Sequence, residues 1–367
     1  MKSAPSRSVM RTVQRSLLCA SATLLFTATF QRDVWAAGTF APAPNEQLQP
    51  LRASTRTPLH KAIENEEFDL ARQLIAEGRN INTTDSFGLA PLHFAVIKGN
   101  TGLIDALLAQ KADVNAKDLR GDTALHMLAA NNGSAELARL LLKQGALVDS
   151  RNKTGQTPLH WIASEGDVEL AKLMLAVRAE INVQDEAGDT PLQWAAEAGH
   201  DKMVALLVEK GANPNLVNGL GRTPLFWAAR AGNIPMAEYL FAMKAKVDIR
   251  SAIGDTPLHW AAGEGHAAMV KFLIRWASDI NPTAEYLETP LHWAAMRGQE
   301  EVTGILLTHG ANMDAKDKIG NTPMALAQQK GHEGVVKLLA ARENSLKTAR
   351  KGTDPLRVAV NAPGVNR

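Results

Sequence analysis

Cysteine is almost missing from this chain: a single Cys19 among 367 residues excludes an intramolecular disulfide framework and any cluster of thiolate metal ligands. Aromatic residues are scarce at 5%. Neither sign of charge dominates, because 40 Lys and Arg face 38 Asp and Glu, a formal net charge of +2. The large cationic excess that marks a nucleic-acid binder is therefore lacking. At 45% hydrophobic and 21% charged, the chain is too apolar for disorder and not apolar enough for a protein of many membrane spans. The signatures of catalysis are missing too. There is no glycine-rich phosphate loop, no G-x-S-x-G elbow and no H-E-x-x-H helix. No cofactor is expected, and the chain is read as a non-enzyme.

The N-terminus reads as an address. Lys2, Arg7, Arg11 and Arg15 precede an uncharged, mostly apolar run from Ser16 to Phe30, and no acid occurs before Phe30. That run is shorter than the ~20 residues needed to cross a bilayer as a helix. The small residues around Ala36 and Ala37 offer a cleavage site. Residues 1–36 are thus expected to be a signal peptide that exports the chain to the periplasm or the exterior and takes Cys19 with it. No transmembrane span is expected after cleavage. An organelle transit peptide fits the same Arg, Ser and Ala composition and stays open. Residues 37–50, with Pro42, Pro44 and Pro50, read as a flexible linker.

One four-residue phrase then recurs to the far end of the chain. It begins at Thr57, Ala90, Thr123, Thr157, Thr190, Thr223, Thr256, Thr289 and Thr322, as TPLH or a close variant. Successive copies lie 33 residues apart, except for one step of 34 that spans Asn131, Asn132 and Gly133. A fixed period of this length is the mark of a repeat array. Each unit reads as a helix pair and a turn. In the unit of Thr190, the threonine caps a helix whose first turn accepts Pro191, and Gly199 breaks that helix. Met203, Val204, Leu206 and Leu207 follow at helical spacing, and Gly211 closes the second helix. Two short helices cannot bury both apolar faces alone, so units must stack. The alanine pairs Ala195-Ala196, Ala228-Ala229, Ala261-Ala262 and Ala294-Ala295 let first helices approach closely.

These units resemble the ankyrin-repeat family, whose repeat reads D-x-x-G-x-T-P-L-H followed by two helices and G-A-D-V-N. The best matches are Asp118 to His126, Asp185 to Leu192, Gly310 to Asp314 and Asp317 to Pro323. The resemblance implies an all-α repeat solenoid of nine stacked helix-turn-helix units with β-hairpin fingers, over residues 51–343. It also implies protein binding through the fingers and the concave face, without catalysis. Departures are informative. Ala284 and Leu287 replace the Asp and Gly of the eighth finger, where a different turn is expected. Lys111, Arg178, Lys244 and Ala277 replace the glycine after the second helix, where softer or differently capped junctions are expected.

Six histidines recur in the phrase: His60, His93, His126, His160, His259 and His292. Neighbouring helices pack ~8–10 Å apart, whereas ligands of one metal sit ~2 Å from it, so these side chains cannot share an ion. They are expected to bond at helix starts and between neighbouring units. Trp161, Trp194, Trp227, Trp260 and Trp293 hold one position in five consecutive units. They read as core packing, with a ligand-binding aromatic face as the alternative.

By resemblance, the family's contact positions carry almost equal numbers of basic and acidic residues here, which argues against a nucleic-acid groove. The position three before the phrase is large and apolar in four successive fingers: Leu220, Ile253, Tyr286 and Ile319. These are expected to anchor a protein partner on a monomeric scaffold, flanked by Arg222, Asp255 and Glu288 for orientation. Packing of finger on finger is the other reading of the same stripe. Residues 344–367, basic and weakly periodic, read as a disordered tail.

Overall fold

The computed structural model describes residues 56–131, 133–276 and 279–352. The expected signal peptide and linker lie outside the described residues. Eighteen α-helices and no strand occur among the described residues. They fall into two compact units, one ending at Glu186 and one beginning at Ala187. The first holds four helix pairs, from Pro58–Glu64 to Val168–Ala176, and the second holds five, from Pro191–Glu197 to Glu333–Gly352.

The recurring phrase explains the first helix of each pair. The Thr190 hydroxyl accepts from the Gln193 amide, and Pro191 occupies a position whose amide has no helical partner. Second helices start on Asn100, Ser134, Asp167 and Asn233, each accepting from an amide three residues on. The phrase leucines Leu59, Leu92, Leu125 and Leu159 are buried in the first unit, and Leu192, Leu225, Leu258 and Leu291 in the second. Each such burial stabilises by about 1.5–3 kcal/mol. All eight alanines of the four pairs are buried as well, so that first helices of successive repeats in the second unit pack directly on one another.

The fingers are closed turns without strands among the described residues, so the expected β-hairpins are not confirmed. In the third finger, Asp118 Oδ1 accepts from the Arg120 and Asp122 amides, both at 2.8 Å, and the Asp118 amide donates to the Asp122 carbonyl at 3.0 Å. Backbone bonds join successive fingers: Leu119 N to Phe87 O, Lys153 N to Arg120 O and Glu186 N to Thr154 O in the first unit, and Gly219 N to Ala187 O, Ala252 N to Leu220 O and Lys318 N to Tyr286 O in the second. No strand forms from them among the described residues. Fingers nevertheless approach so closely that a Cβ on Gly221, at φ 72°, would stand 2.7 Å from the Ala252 amide nitrogen.

Three further expectations change. The eighth finger keeps the same turn without Asp or Gly. The Leu287 amide still donates to the Ala284 carbonyl, and Leu287 itself takes φ 59°. Lys111, Arg178 and Lys244 likewise adopt the left-handed conformation at φ 61°, 65° and 68°, so these junctions keep the glycine-type cap in spite of their Cβ atoms. Ala277 lies outside the described residues. Finally, the last helix runs on to Gly352, which makes residues 344–352 helical where a disordered tail was expected. Lys337 with Glu333 and Lys347 with Glu343 pair across one turn of it. The remainder of the tail lies outside the described residues.

Candidate functional site

The apolar stripe stands on the finger turns of the second unit. Leu220, Ile253 and Tyr286 are 45%, 39% and 40% exposed, whereas Ile319, with no finger after it among the described residues, is 84% exposed. A following finger therefore covers part of each side chain and leaves about two fifths in water. Leu287, half exposed beside Tyr286, belongs to the same surface, and Lys318 Nζ sits 5.6 Å from the Tyr286 ring centre. Leu287 stands at a glycine position of the repeat, where no contact residue is expected. In the first unit, Phe87 and Leu119 are exposed on finger turns as well.

The three charged residues expected to flank the stripe lie deeper. Asp255 is fully buried, and the Arg222 side chain keeps only 14% of its surface. Glu288 is half-buried. The apolar tips and the charged trio are therefore two surfaces, with the trio turned toward the tryptophans.

There three indoles are held by the residue five positions earlier. Trp161 Nε1 donates to Gln156 Oε1 at 3.1 Å, Trp260 Nε1 to Asp255 Oδ2, and the Trp293 side chain bonds Glu288. Trp260 and Trp293 are buried and meet edge-on, with ring centres 6.1 Å apart. Arg222 leans on Trp260 at 4.8 Å, and Arg230 lies 5.5 Å from Trp260 and 5.8 Å from Trp227. Arg297 Nη1 bonds Glu264 Oε1 at 2.7 Å. Burial raises the carboxyls of Glu197, Asp255 and Glu288 above their ordinary range, opposed at Glu197 by Arg230 and at Asp255 by Arg222. Within the second unit, Arg222 and Arg230 thus lie over the rings of Trp227 and Trp260, whose faces are not open.

The phrase histidines join one repeat to the next. His60 Nδ1 accepts from the Thr57 amide at 3.2 Å, and Nε2 lies 3.0 Å from the Leu89 carbonyl oxygen. A carbonyl only accepts, so Nε2 carries the proton and the ring is neutral. His93, His126, His259 and His292 repeat this, bonding the carbonyls of Ala116, Gln156, Glu288 and Asn321. Both ring nitrogens are engaged in each, as expected for a role at helix starts and between units.

No helix among the described residues is long and apolar enough to cross a membrane. A family model described as ankyrin repeats (three copies) matches four overlapping segments, residues 40–118, 92–185, 162–251 and 244–317. No curated protein matches the chain. With more than half of its length covered by that family model, and with the phrase, the helix pairs and the finger turns in register, the chain belongs to the ankyrin-repeat family.

Proposed function

We propose that this chain is an exported, non-catalytic protein-binding module, acting as a scaffold, inhibitor or protector of its partner. The observation that supports this reading is the row of exposed apolar side chains on Leu220, Ile253, Tyr286 and Ile319, carried on turns that hydrogen bonds hold rigid. Presenting apolar groups on a preformed frame lowers the entropy lost on binding, and Tyr is a frequent anchor residue. Ankyrin repeats are in general protein-interaction modules, which supports a protein as the ligand. Export rests on the first 36 residues, and the discounting of nucleic acid as a ligand rests on the balanced charge.

Affinity capture from the exported fraction tests the reading, using the chain without residues 1–36 beside an Ile253→Ala/Tyr286→Ala variant. A protein retained by the first and lost by the second, with equal thermal midpoints, supports it. If the double variant loses stability and keeps its partner, the stripe serves packing and the function lies elsewhere.

A further inference from the structure

Trp227 breaks the pattern of its neighbours. In repeats four, seven and eight the residue five before the tryptophan is an acceptor: Gln156, Asp255 or Glu288. In repeat six that place is taken by Arg222, whose side chain has five N–H donors and no acceptor. The outcome is two buried donors with nothing to receive them, because Trp227 Nε1 and Arg222 Nε both lack a hydrogen-bond partner among the described residues. Arg222 reaches Asp255 Oδ2 only at 3.9 Å, and its guanidinium otherwise rests on the Trp260 ring. Glu197 is near enough to act on Arg222 electrostatically but bonds neither orphan atom. Unsatisfied buried donors are rare in folded proteins, and a bound acceptor is one of the few reasons for their retention.

We propose that Arg222 and Trp227 form a receptor for one carboxylate, the side chain of an aspartate or glutamate on the protein partner. This rests on the protein-binding reading above and adds the chemistry of the partner. A carboxylate accepts from a guanidinium and an indole N–H at once, with the strength of a charge-assisted bond. A phosphate dianion suits the place poorly, since Asp255, Asp189 and Glu197 all act on Arg222. Entry requires the Arg222 side chain, which retains some exposure, to swing off Trp260. The weak hold of a 3.9 Å ion pair permits that motion.

Acetate is the probe, and the indole N–H resonances of the full chain labelled with 15N-tryptophan are the readout. At constant ionic strength, acetate replacing chloride up to roughly 0.1 M is expected to shift the Trp227 resonance downfield and saturably, as for a millimolar site. That resonance is identified by its loss in Trp227→Phe. The other indoles are expected to stay in place, and neutral acetamide to have no effect. Arg222→Gln places the acceptor of Gln156 beside the indole, so this variant is expected to fold and to ignore acetate. A Trp227 resonance that does not saturate, or that responds equally in Arg222→Gln or to acetamide, overturns the proposal. The response is expected to survive Ile253→Ala/Tyr286→Ala. Failure of the carboxylate site is thereby separated from failure of the fingertip surface.

Discussion

His126 donates its Nε2–H to the carbonyl oxygen of Gln156, 3.1 Å away in the next repeat, while its Nδ1 accepts from the Thr123 amide at 3.2 Å. The Nδ1 bond needs a neutral ring, since a protonated nitrogen cannot accept, and burial lowers the histidine from 6.5 to about 4. His259 is lowered to about 4 in the same way. The unfolded state therefore binds protons that the folded state refuses. Stability from these groups is fully present above pH 6.5 and is lost as pH falls from there toward about 4. The loss amounts to roughly 3 kcal/mol per histidine at the acid end. Asp122, Glu197, Asp255 and Glu288, raised by burial, titrate in the opposite sense and gain stability as they are protonated.

A difference between variants isolates the histidine. Gln193 already occupies the phrase position in the fifth repeat, accepting from the Thr190 amide at 2.8 Å and donating to the Arg222 carbonyl at 2.7 Å. His126→Gln is thus expected to keep both bonds and to flatten part of the acid limb in denaturant melts between pH 7 and 4. His126→Ala is expected to lower stability by about 2 kcal/mol or more at pH 7, a deficit that shrinks toward pH 4 as the native histidine loses its own contribution. An acid limb unchanged in His126→Gln would place the sensitivity elsewhere.

Leu287→Gly is expected to stabilise the chain. A branched side chain at φ 59° carries about 1–2 kcal/mol of conformational strain that glycine does not. The flexibility of glycine in the unfolded state offsets part of this gain, leaving a net of about 0.5–1 kcal/mol, read as a higher thermal midpoint. The same change is expected to weaken partner capture if the exposed Leu287 side chain belongs to the binding surface. Higher stability with weaker binding would mark a strained residue kept for contact.

Much of the fold was legible because the period is strict and the phrase has a local mechanism. Thr190 with Pro191 starts a helix by chemistry that needs no tertiary information, and Gly166 or Gly232 ends one in the left-handed conformation. The finger turns fall where the period places them, but their closure by side-chain bonds such as those of Asp118 is not readable from the repeat period alone. Residue types alone also misled at Lys111 and Leu287, where the stack holds a backbone that the side chain disfavours. Within the site, the exposed tips followed from counting three residues before the phrase. The depth of Arg222 and Asp255 did not, because it depends on which side of each finger base faces the neighbouring indole. A donor in the place of an acceptor five residues before Trp227 was readable in principle, once the Gln156 to Trp161 bond shows what that spacing means.

In two fingers the first residue answers the charge of the finger before it. Asn218 accepts from the Leu220 and Arg222 amides as an aspartate would, but its Nδ2 also donates to Asp189 Oδ1 at 2.8 Å. Asn152 does the same for Asp122 at 2.8 Å. Behind Arg56, in contrast, the position is Asp85, and the two pair at 3.4 Å. Asparagine therefore stands where an aspartate would face an aspartate in a buried place. Asn218→Asp is expected to cost about 2 kcal/mol, since it converts a donor into a second carboxylate beside Asp189. Adding Asp189→Asn should restore most of that loss by returning a donor to the pair. Asp317 faces Glu288, and the repulsion helps hold the Glu288 carboxyl above its ordinary range. Asp317→Asn is accordingly expected to stabilise slightly near neutral pH and to bring the Glu288 carboxyl down. A double-mutant cycle on positions 189 and 218, measured by denaturant melts, reads the coupling directly. Additive effects there would mean that finger identity is set within each repeat and not by its neighbour.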